Sequence, residues 1–283
     1  MAGLKILTVQ DIPQVWELSN AEGWNQTEKD WRFLIENPGN VCLALEQKGK
    51  TVATATAMNY EKRVAWIGMV LVDKAFRGKG YSKLLLSELL NRLRSFQTIK
   101  LDATPAGQPV YQKFGFKNER VINRMILESL EMDLPEFENE NMPTVVQTTD
   151  IPEIIKYDAQ VFGDWRKNLL EYLIQKNSEN AWVLSQQVEF KGIALGRKGT
   201  RFFQVGPLSA ESEREAKILL SQMLNKLPHQ PVVVDVWEEK MELINWLVNI
   251  GFIKQRQFVR MVLGENSPEI SEKQFLICGP EFG

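Results

Sequence analysis

The apolar positions along the chain predict a mixed sheet covered by helices. Asp11 can cap a helix whose apolar residues recur at helical spacing over 12–18, and a second apolar cluster at 31–35 predicts another short helix. Segments 41–45 and 51–58 are rich in β-branched or alternating residues, and the Lys-Gly-Lys between them predicts a hairpin. The first part of the chain therefore has the predicted order ααββ.

The next segment is typical of a strand that is buried on both faces, because its apolar run at 65–72 is nearly continuous. Leucines at helical spacing over 84–93 predict a helix, and further strands are predicted at 99–103 and about 120–127. The full order, ααβββαβαβ, indicates the α/β class: an α+β mixed sheet with helices covering it.

The chain contains an internal repeat. Residues 115–127 align without gaps on 251–263, with matching Gly, Phe, Arg, Arg, Met and Leu. Upstream, the predicted strand at 99–103 resembles 232–236. Blocks that keep their order at nearly constant spacing indicate two copies of one fold.

An acidic connector separates the two copies. Residues 128–140 include six acids and no base, together with a proline that breaks helices. We therefore predict a first domain at 1–130, an acidic linker at 131–144, and a second domain with a C-terminal extension at 145–283.

Composition narrows the classes of partner. Among 283 residues, 34 Lys and Arg balance 36 Asp and Glu, so no global basic field favours nucleic acid or an anionic membrane. Cys42 and Cys278 are too few and too distant for a disulfide framework or a metal cluster. Asp11 precedes any signal-peptide core, and the longest apolar run is far below the roughly 20 residues that span a bilayer. We expect a soluble cytoplasmic monomer or homodimer without a metal.

The most informative segment is a glycine-bearing loop between the buried strand and the leucine-rich helix. It reads Arg77-Gly78-Lys79-Gly80, and Lys83 adds a further positive charge. Backbone amides of such a loop, at a helix N-terminus, can hold a pyrophosphate. The patterns of a P-loop and of a dinucleotide-binding fold are both absent.

This loop resembles the pyrophosphate loop of the GCN5-related N-acetyltransferases (GNATs), Gln/Arg-x-x-Gly-x-Gly/Ala. Arg77 and Gly80 match it, while Ser82 replaces the usual Gly or Ala. A second segment, Tyr111 followed by Gly115 and Phe116, is similar to the family's Tyr-x-x-x-Gly-Phe. The resemblance covers about residues 4–127 and, as a weaker echo, the second copy.

The resemblance implies two tandem GNAT folds and the roles of several residues. It implies that Val70 donates its N–H to the thioester oxygen of acetyl-CoA and that Tyr111 is the general acid. The implied cofactor-binding residues are Met69, Val70, Leu71, Val72, Arg77, Gly78, Lys79, Gly80, Tyr81 and Ser82.

The general base is less determined by the sequence. The only histidine, His229, lies in a Pro-His-Gln-Pro turn outside the first copy. Asp102, at the carboxyl end of its strand, is one candidate, but Asp235 recurs at the equivalent position, which also suits a structural role. A water relay that ends on Glu22 or Tyr60 is the third alternative.

Substrate recognition in the family usually involves the first two helices and their loop. The candidate substrate residues here are Glu22, Trp24, Asn25 and Tyr60. In the second copy, the corresponding segment at 158–166 is a candidate cap over the same cleft.

The second copy lacks the features that implicate the first in catalysis. Its loop counterpart, 206–215, has three acids, one Arg and no Gly-x-Gly, and Leu247 stands where Tyr111 does in the first copy. We therefore expect a catalytic first GNAT domain and a degenerate second one.

The resulting functional prediction is an acetyl-CoA-dependent N-acetyltransferase. Its expected acceptor is the amine of a small molecule or of an amino-acid-like compound, which attacks directly in a ternary complex. A CoA-sensing binding module without activity and a protein or peptide N-terminal acetyltransferase remain alternatives.

Overall fold

The computed structural model describes residues 2–61, 63–132, 134, 142–186, 189–265 and 269–283. The elements of the first copy are β1 (Gly3–Ile6), α1 (Ile12–Ala21), α2 (Glu28–Glu36), β2 (Val41–Gln47), β3 (Lys50–Tyr60), β4 (Val64–Val72), α3 (Tyr81–Arg92), β5 (Thr98–Ala103), α4 (Gln108–Lys113) and β6 (Lys117–Leu127). The predicted order is confirmed from α1 to β6, and the short β1 precedes it. Lys48 and Gly49 both have positive φ, which suits the tight turn that joins β2 to β3.

The second copy repeats this order. Its elements are β7 (Thr144–Val145), α5 (Ile151–Phe162), α6 (Lys167–Lys176), β8 (Trp182–Gln186), β9 (Glu189–Lys198), β10 (Phe203–Ala210), α7 (Glu213–Asn225), β11 (Val232–Trp237), α8 (Met241–Asn249), β12 (Ile253–Gly264) and β13 (Gln274–Leu276). None of the helices in the described part of the chain is long and apolar enough to cross a membrane.

The strands of the described residues form one continuous sheet in which the two copies exchange their long last strands. The strand order is β1-β2-β3-β4-β5-β12-β6-β11-β13-β10-β9-β8-β7. β12 of the second copy pairs with β5 of the first, and β6 of the first copy pairs with β11 of the second. At the centre, β12 and β6 pair with each other.

The exchange also mixes the hydrophobic cores. Met261 of β12 is packed in the core of the first copy, against α3, whereas Met125 of β6 is packed in the core of the second copy, against α7 and α8. The proposed domain limits, 1–130 and 145–283, remain a prediction, and residues 133 and 135–141 of the proposed linker lie outside the described residues. Whatever the limits, each core is completed by a strand of the other copy.

Helices cover both faces of the sheet. One core spans both copies and includes residues of α1, α2, α5 and α6. A second core lies beneath α3, and a third lies beneath α7 and α8. β4 illustrates why its apolar run is continuous: Trp66 belongs to the first core and Ile67 to the core beneath α3.

The short β13 lies between two strands of the second copy, β10 and β11. The parallel pairing of β10 with β11 covers only Phe203–Val205 against Val232–Val234, and the two strands then separate. β13 enters the gap: Leu276 pairs with Leu208 of β10 on one side and with Val236 of β11 on the other. The chain then continues as a tail, residues 277–283, toward the first copy.

Candidate active site

In the first copy the equivalent gap between strands is open. β4 and β5 pair in parallel only from Val64 to Ile67, where Ile67 lies opposite Leu101. On its other edge, β4 has a bulge, because Thr54 of β3 is opposite Leu71 while Thr56 is opposite Gly68. The backbone of β4 therefore turns where it leaves β5.

Two threonine hydroxyls hold the bulge. Thr54 donates a hydrogen bond to the Met69 carbonyl at 2.8 Å, and Thr56 donates one to the Gly68 carbonyl at 3.0 Å. Met69 itself has φ +49°, a conformation that costs a residue with a side chain about 1–3 kcal/mol. Such strain persists where surrounding bonds fix it, and it commonly marks functional sites.

The gap opens into a cleft of about 550 Å³. Its walls come from β4, the loop after β4, the start of α3, α4, β12 and the tail. The lining includes Glu22, Trp24, Gln26, Met69, Val70, Leu71, Val72, Arg77, Gly78, Gly80, Tyr81, Ser82, Asp102, Tyr111, Arg124, Arg256, Phe258 and Glu281. Both copies therefore build the site.

The loop before α3 is suited to an anion. Gly78 and Gly80 have φ of +77° and +79°, and a Cβ at either position would meet nothing within 4 Å. Gly80 is the N-cap of α3, and no side chain of the described residues caps that helix. The first amides of α3 are therefore left to a ligand, and a pyrophosphate fits both their donors and their partial positive charge.

The basic residues of the loop are not equally placed. Arg77 lines the cleft, where it forms an ion pair with Glu22 at 2.6 Å and donates to the Val72 carbonyl at 3.2 Å. Lys79 is not among the lining residues, and its ammonium lies 4.7 Å from the centre of the Phe76 ring. Lys83 is exposed.

Tyr111 enters the cleft from α4. Its ring packs edge-on against Phe116 at 6.0 Å and lies close to Gly107, where a Cβ would be 3.0 Å from the ring. Among the described residues, its hydroxyl has no hydrogen-bond partner. Burial raises the pKa of Tyr111 above the ordinary value, so the phenol keeps its proton at neutral pH.

Asp102 lies just beyond the point where β4 and β5 separate, but its carboxylate is occupied. Arg260 of β12 donates to both carboxylate oxygens, at 2.8 and 2.9 Å, and both side chains are almost fully buried. Burial raises the pKa of Asp102, an effect that the neighbouring Arg260 opposes. The geometry favours the structural role that the sequence left open.

The candidate substrate residues separate into two groups. Glu22 and Trp24 line the cleft, whereas Asn25 and Tyr60 are not lining residues. The Asn25 side chain instead binds the backbone of Phe202, donating to its carbonyl at 3.1 Å and accepting from its N–H at 2.9 Å. Buried Tyr60 donates to the Phe282 carbonyl at 2.6 Å. These two residues attach the first copy to the second.

Several lining residues were not predicted from the sequence, and four of them come from the last strands of the two copies and from the tail. Arg124 lies on β6, Arg256 and Phe258 on β12, and Glu281 on the tail. The repeat alignment contains Arg124, Arg256 and Phe258, but nothing in it indicates which strands lie beside β6 and β12. Only the strand exchange and the course of the tail bring these side chains to the cleft.

The second copy has no open counterpart of this site within the described residues. β13 occupies the gap between β10 and β11, and Ser212 caps α7 by accepting from the Glu215 N–H at 3.4 Å. Leu247, the counterpart of Tyr111, is buried. No residue of 158–166 lines the cleft of the first copy; Asp164 accepts from the Val64 N–H at 3.0 Å instead.

No group of three or more His, Cys, Asp or Glu side chains suitable for a metal ion occurs among the residues described.

Comparison with family models matches both copies. Residues 9–116 match the model "Acetyltransferase (GNAT) family", and residues 154–276 match "Acetyltransferase (GNAT) domain". The two matches leave out β6, but the second includes β12.

Two curated relatives are similar over most of the chain. Holothin acyltransferase of Pseudoalteromonas sp. is 26% identical over 234 residues, which are 82% of this chain and 78% of the relative. The uncharacterised N-acetyltransferase YitH of Bacillus subtilis is 25% identical over 192 residues, 68% of this chain and 67% of the relative.

Solved structures share the whole fold. A structure assigned as an acetyltransferase from Pyrococcus horikoshii has a TM-score of 0.81 at 23% identity, covering 100% of this chain and 96% of the other. A tandem GNAT protein from the clavulanic acid biosynthesis pathway has a TM-score of 0.66 at 13% identity, covering 94% of this chain and 100% of the other. The tandem arrangement is therefore found in a solved relative.

Proposed function

This chain is an N-acetyltransferase of the GNAT family with two GNAT domains, and on that premise we propose that it depends on acetyl-CoA. The proposed acceptor is the amine of a small or amino-acid-like molecule. The observation that carries the proposal is the open gap after Ile67 beside an uncapped helix N-terminus. The first copy is the proposed catalytic domain, since β13 fills the equivalent gap of the second.

The cofactor would lie along the strand and loop that the cleft exposes. Acetyl-CoA, when bound, supplies the thioester from which the acetyl group is transferred. The amides of the segment from Arg77 to Ser82, at the start of α3, would hold the pyrophosphate. The edge of β4 over Met69–Val72, which leaves β5 at this point, would pair with the pantetheine arm, and the Val70 N–H would face the thioester oxygen.

Tyr111 is the proposed proton donor. Its hydroxyl is in the cleft without a protein partner in the described structure, and its raised pKa keeps it protonated, which is the state that a donor to a leaving thiolate needs. Glu22 is held by Arg77, so we assign it to the wall between loop and acceptor rather than to proton transfer.

The acceptor is expected to be small, because β12 and the tail line the same cleft and its volume is only about 550 Å³. We further propose that the enzyme works in a reducing, cytoplasmic compartment; its two cysteines are free and buried, which supports this.

Thiol release from acetyl-CoA, measured across amines, amino acids, aminoglycosides and polyamines, tests the proposal. CoA binding is measured in parallel by calorimetry. Turnover with at least one acceptor is expected. CoA binding without turnover would favour the CoA-sensing module, and no CoA binding would reject the cofactor assignment itself.

A further inference from the structure

The tail after β13 returns to the first copy and is fixed there. The Trp66 indole donates to the Pro280 carbonyl at 3.0 Å, and the Tyr60 hydroxyl donates to the Phe282 carbonyl. Glu281 and Phe282 are both buried. The position of the Glu281 side chain is therefore determined by the fold.

Glu281 lies against the strained segment of β4. A Cβ at Gly68 would be 3.0 Å from the Glu281 carbonyl oxygen and 3.1 Å from its Cα, so any side chain at this position would push the tail away by a few tenths of an ångström. Gly68 precedes Met69, where the backbone turns into the cleft. Glu281 is thus next to the segment that we assign to the thioester.

The Glu281 carboxylate is only partly satisfied. One oxygen pairs with Arg197 of β9, which also lies 3.5 Å from the Asp30 carboxylate. The other oxygen, Oε2, is buried and has no hydrogen-bond partner in the described structure. One guanidinium is therefore shared by two buried carboxylates, and a buried acceptor that lacks a partner costs free energy unless a ligand satisfies it.

A cation in the same cleft is also without a partner. Among the described residues, Arg256 forms neither a hydrogen bond nor an ion pair, and its Nε is buried. Its guanidinium lies 5.4 Å from the centre of the Phe258 ring, and the guanidinium of Arg124 lies 5.1 Å from the same ring centre. Arg124 is bound by Asp235, whereas Arg256 is not. Burial and the nearby Arg124 lower the pKa of Arg256, and the carboxylates of Asp235 and Glu281 offset only part of this effect.

We propose that Glu281 and Arg256 form the acceptor subsite, in which Glu281 binds the acceptor's ammonium and Arg256 binds an anionic group, such as a carboxylate, on the same molecule. The inference rests on the proposed function and specifies its substrate class: small zwitterionic amines. The two residues form no ion pair with each other, so an acceptor that carries both charges would satisfy both at once.

Calorimetry with CoA conjugates tests the subsite without requiring turnover. In the parent set, an ethylene bridge joins the CoA sulfur to the nitrogen of glycine, β-alanine or 4-aminobutanoate. The nitrogen stays protonated, and the three compounds place the carboxylate at three distances from it. One matched set has a carboxamide in place of the carboxylate. A second has an amide bridge, which leaves the nitrogen uncharged.

At least one parent conjugate is expected to bind about 30-fold more tightly than either of its matched partners, because each partner lacks one charge-assisted hydrogen-bonded contact. Arg256→Met should remove the preference for the carboxylate, and Glu281→Gln the preference for the charged nitrogen. Neither should change the Kd of free CoA more than about threefold. Arg32→Met, which removes an exposed arginine on α2, is the control and should leave both preferences intact.

The possible failures are distinct. If CoA itself does not bind, the proposed function fails and the subsite with it. If CoA binds and the wild type shows neither preference, or if a preference survives its variant, only the subsite is rejected. The wild-type comparison needs no variant, so the inference stays falsifiable even if Glu281→Gln does not fold.

Discussion

Asp102 accepts two hydrogen bonds from Arg260, a residue of the other copy. Asp235 accepts two from Arg124 in the same way, both at 2.7 Å. Arg124 and Arg260 are equivalent in the repeat, so each arginine pairs with the aspartate of the opposite copy. The two buried ion pairs therefore fix the strand exchange.

Removing one partner should destabilise the whole protein. In Arg260→Met the Asp102 carboxylate stays buried without a counterion, and the guanidinium contacts with Trp66 and Trp237 are lost. We expect a loss of about 3–5 kcal/mol in the free energy of unfolding, measured by urea denaturation.

The matched comparison is Arg32→Met, which removes a surface pair with Glu36 and should cost at most about 0.5 kcal/mol. In the double variant Asp102→Asn, Arg260→Met the loss should be smaller than in Arg260→Met alone. Equal losses in the Arg260 and Arg32 variants would contradict the role of the buried pair.

The sequence predicted the elements well because their signals are local. β4 is buried on both faces and therefore has a continuous apolar run. α3 is buried on one face and therefore has leucines at helical spacing, and both patterns can be read from the sequence. The loop at 77–82 is also a local signal. Its turns need positive φ at two positions, and the sequence has glycine at both of them.

The exchange could not be predicted, because β6 and β12 carry nearly the same side-chain pattern. Met125 and Met261 are equivalent, and either strand fits beside β5 or beside β11 on local grounds. The choice depends on contacts more than 100 positions apart in the chain, such as Arg260 with Asp102. For that reason the sequence did not predict that Arg256 and Glu281 line the cleft, whereas a local motif was enough to propose Tyr111.

Binding of CoA should depend on Gly80 in a way that strain alone does not explain. Gly80 and Gly49 have φ of +79° and +75°, and a Cβ at either site would meet nothing within 4 Å. Gly80→Asp places a carboxylate at the uncapped start of α3, where it repels a pyrophosphate.

CoA should raise the Tm of the wild type and of Gly49→Asp, but not that of Gly80→Asp. The two variants should have similar Tm values without CoA, because the backbone strain, about 1–2 kcal/mol, is similar. Equal stabilisation of both variants by CoA would mean that the loop does not hold the phosphates.

Tyr111→Phe should lower kcat at least about tenfold, because a general acid contributes roughly 10²–10⁴ in rate and water can replace part of it. Tyr81→Phe is the matched control, since it removes a hydroxyl in the same cleft that already binds Gln47 at 3.4 Å. The Kd of CoA should change little in either variant. Similar kcat values in both variants would remove the proposed role of Tyr111.

The raised pKa of Tyr111 has a consequence for the pH profile. Below its pKa, Tyr111 is in the protonated form that is active as a proton donor. Because the pKa is above the usual value of about 10, this form is lost only at more alkaline pH. Wild-type kcat should therefore not fall through ionisation of this residue up to about pH 10. An alkaline limb near pH 8 that disappears in Tyr111→Phe would be inconsistent with the raised pKa of this phenol.

The two cysteines should be inert in the native protein. Burial raises the pKa of both Cys42 and Cys278 to about 12, so the thiolate fraction at pH 8 is about 1,000-fold below that of a free cysteine. A colorimetric disulfide reagent should titrate no thiol in the native state and two in denaturant. Rapid reaction of one thiol in the native state would show that its segment opens locally.

That measurement also tests how firmly Gly68 fixes the tail. In Gly68→Val, the added side chain would press against the backbone of Glu281, and we expect the tail to move because β3 holds β4 at this position. In a Cys42→Ser background we expect Cys278 to react at least about tenfold faster, which corresponds to about 1.4 kcal/mol less for local opening.

Gly3→Val is the matched control for Gly68→Val, because Gly3 is also in a strand and a Cβ there would meet nothing within 4 Å. It should leave the reactivity of Cys278 unchanged. If the tail serves only the acceptor side of the cleft, the Kd of CoA should be similar in both variants. The preference for charged conjugates should be lost in Gly68→Val and kept in Gly3→Val. Unchanged reactivity of Cys278 in Gly68→Val would mean that the contact between Gly68 and Glu281 does not position the tail.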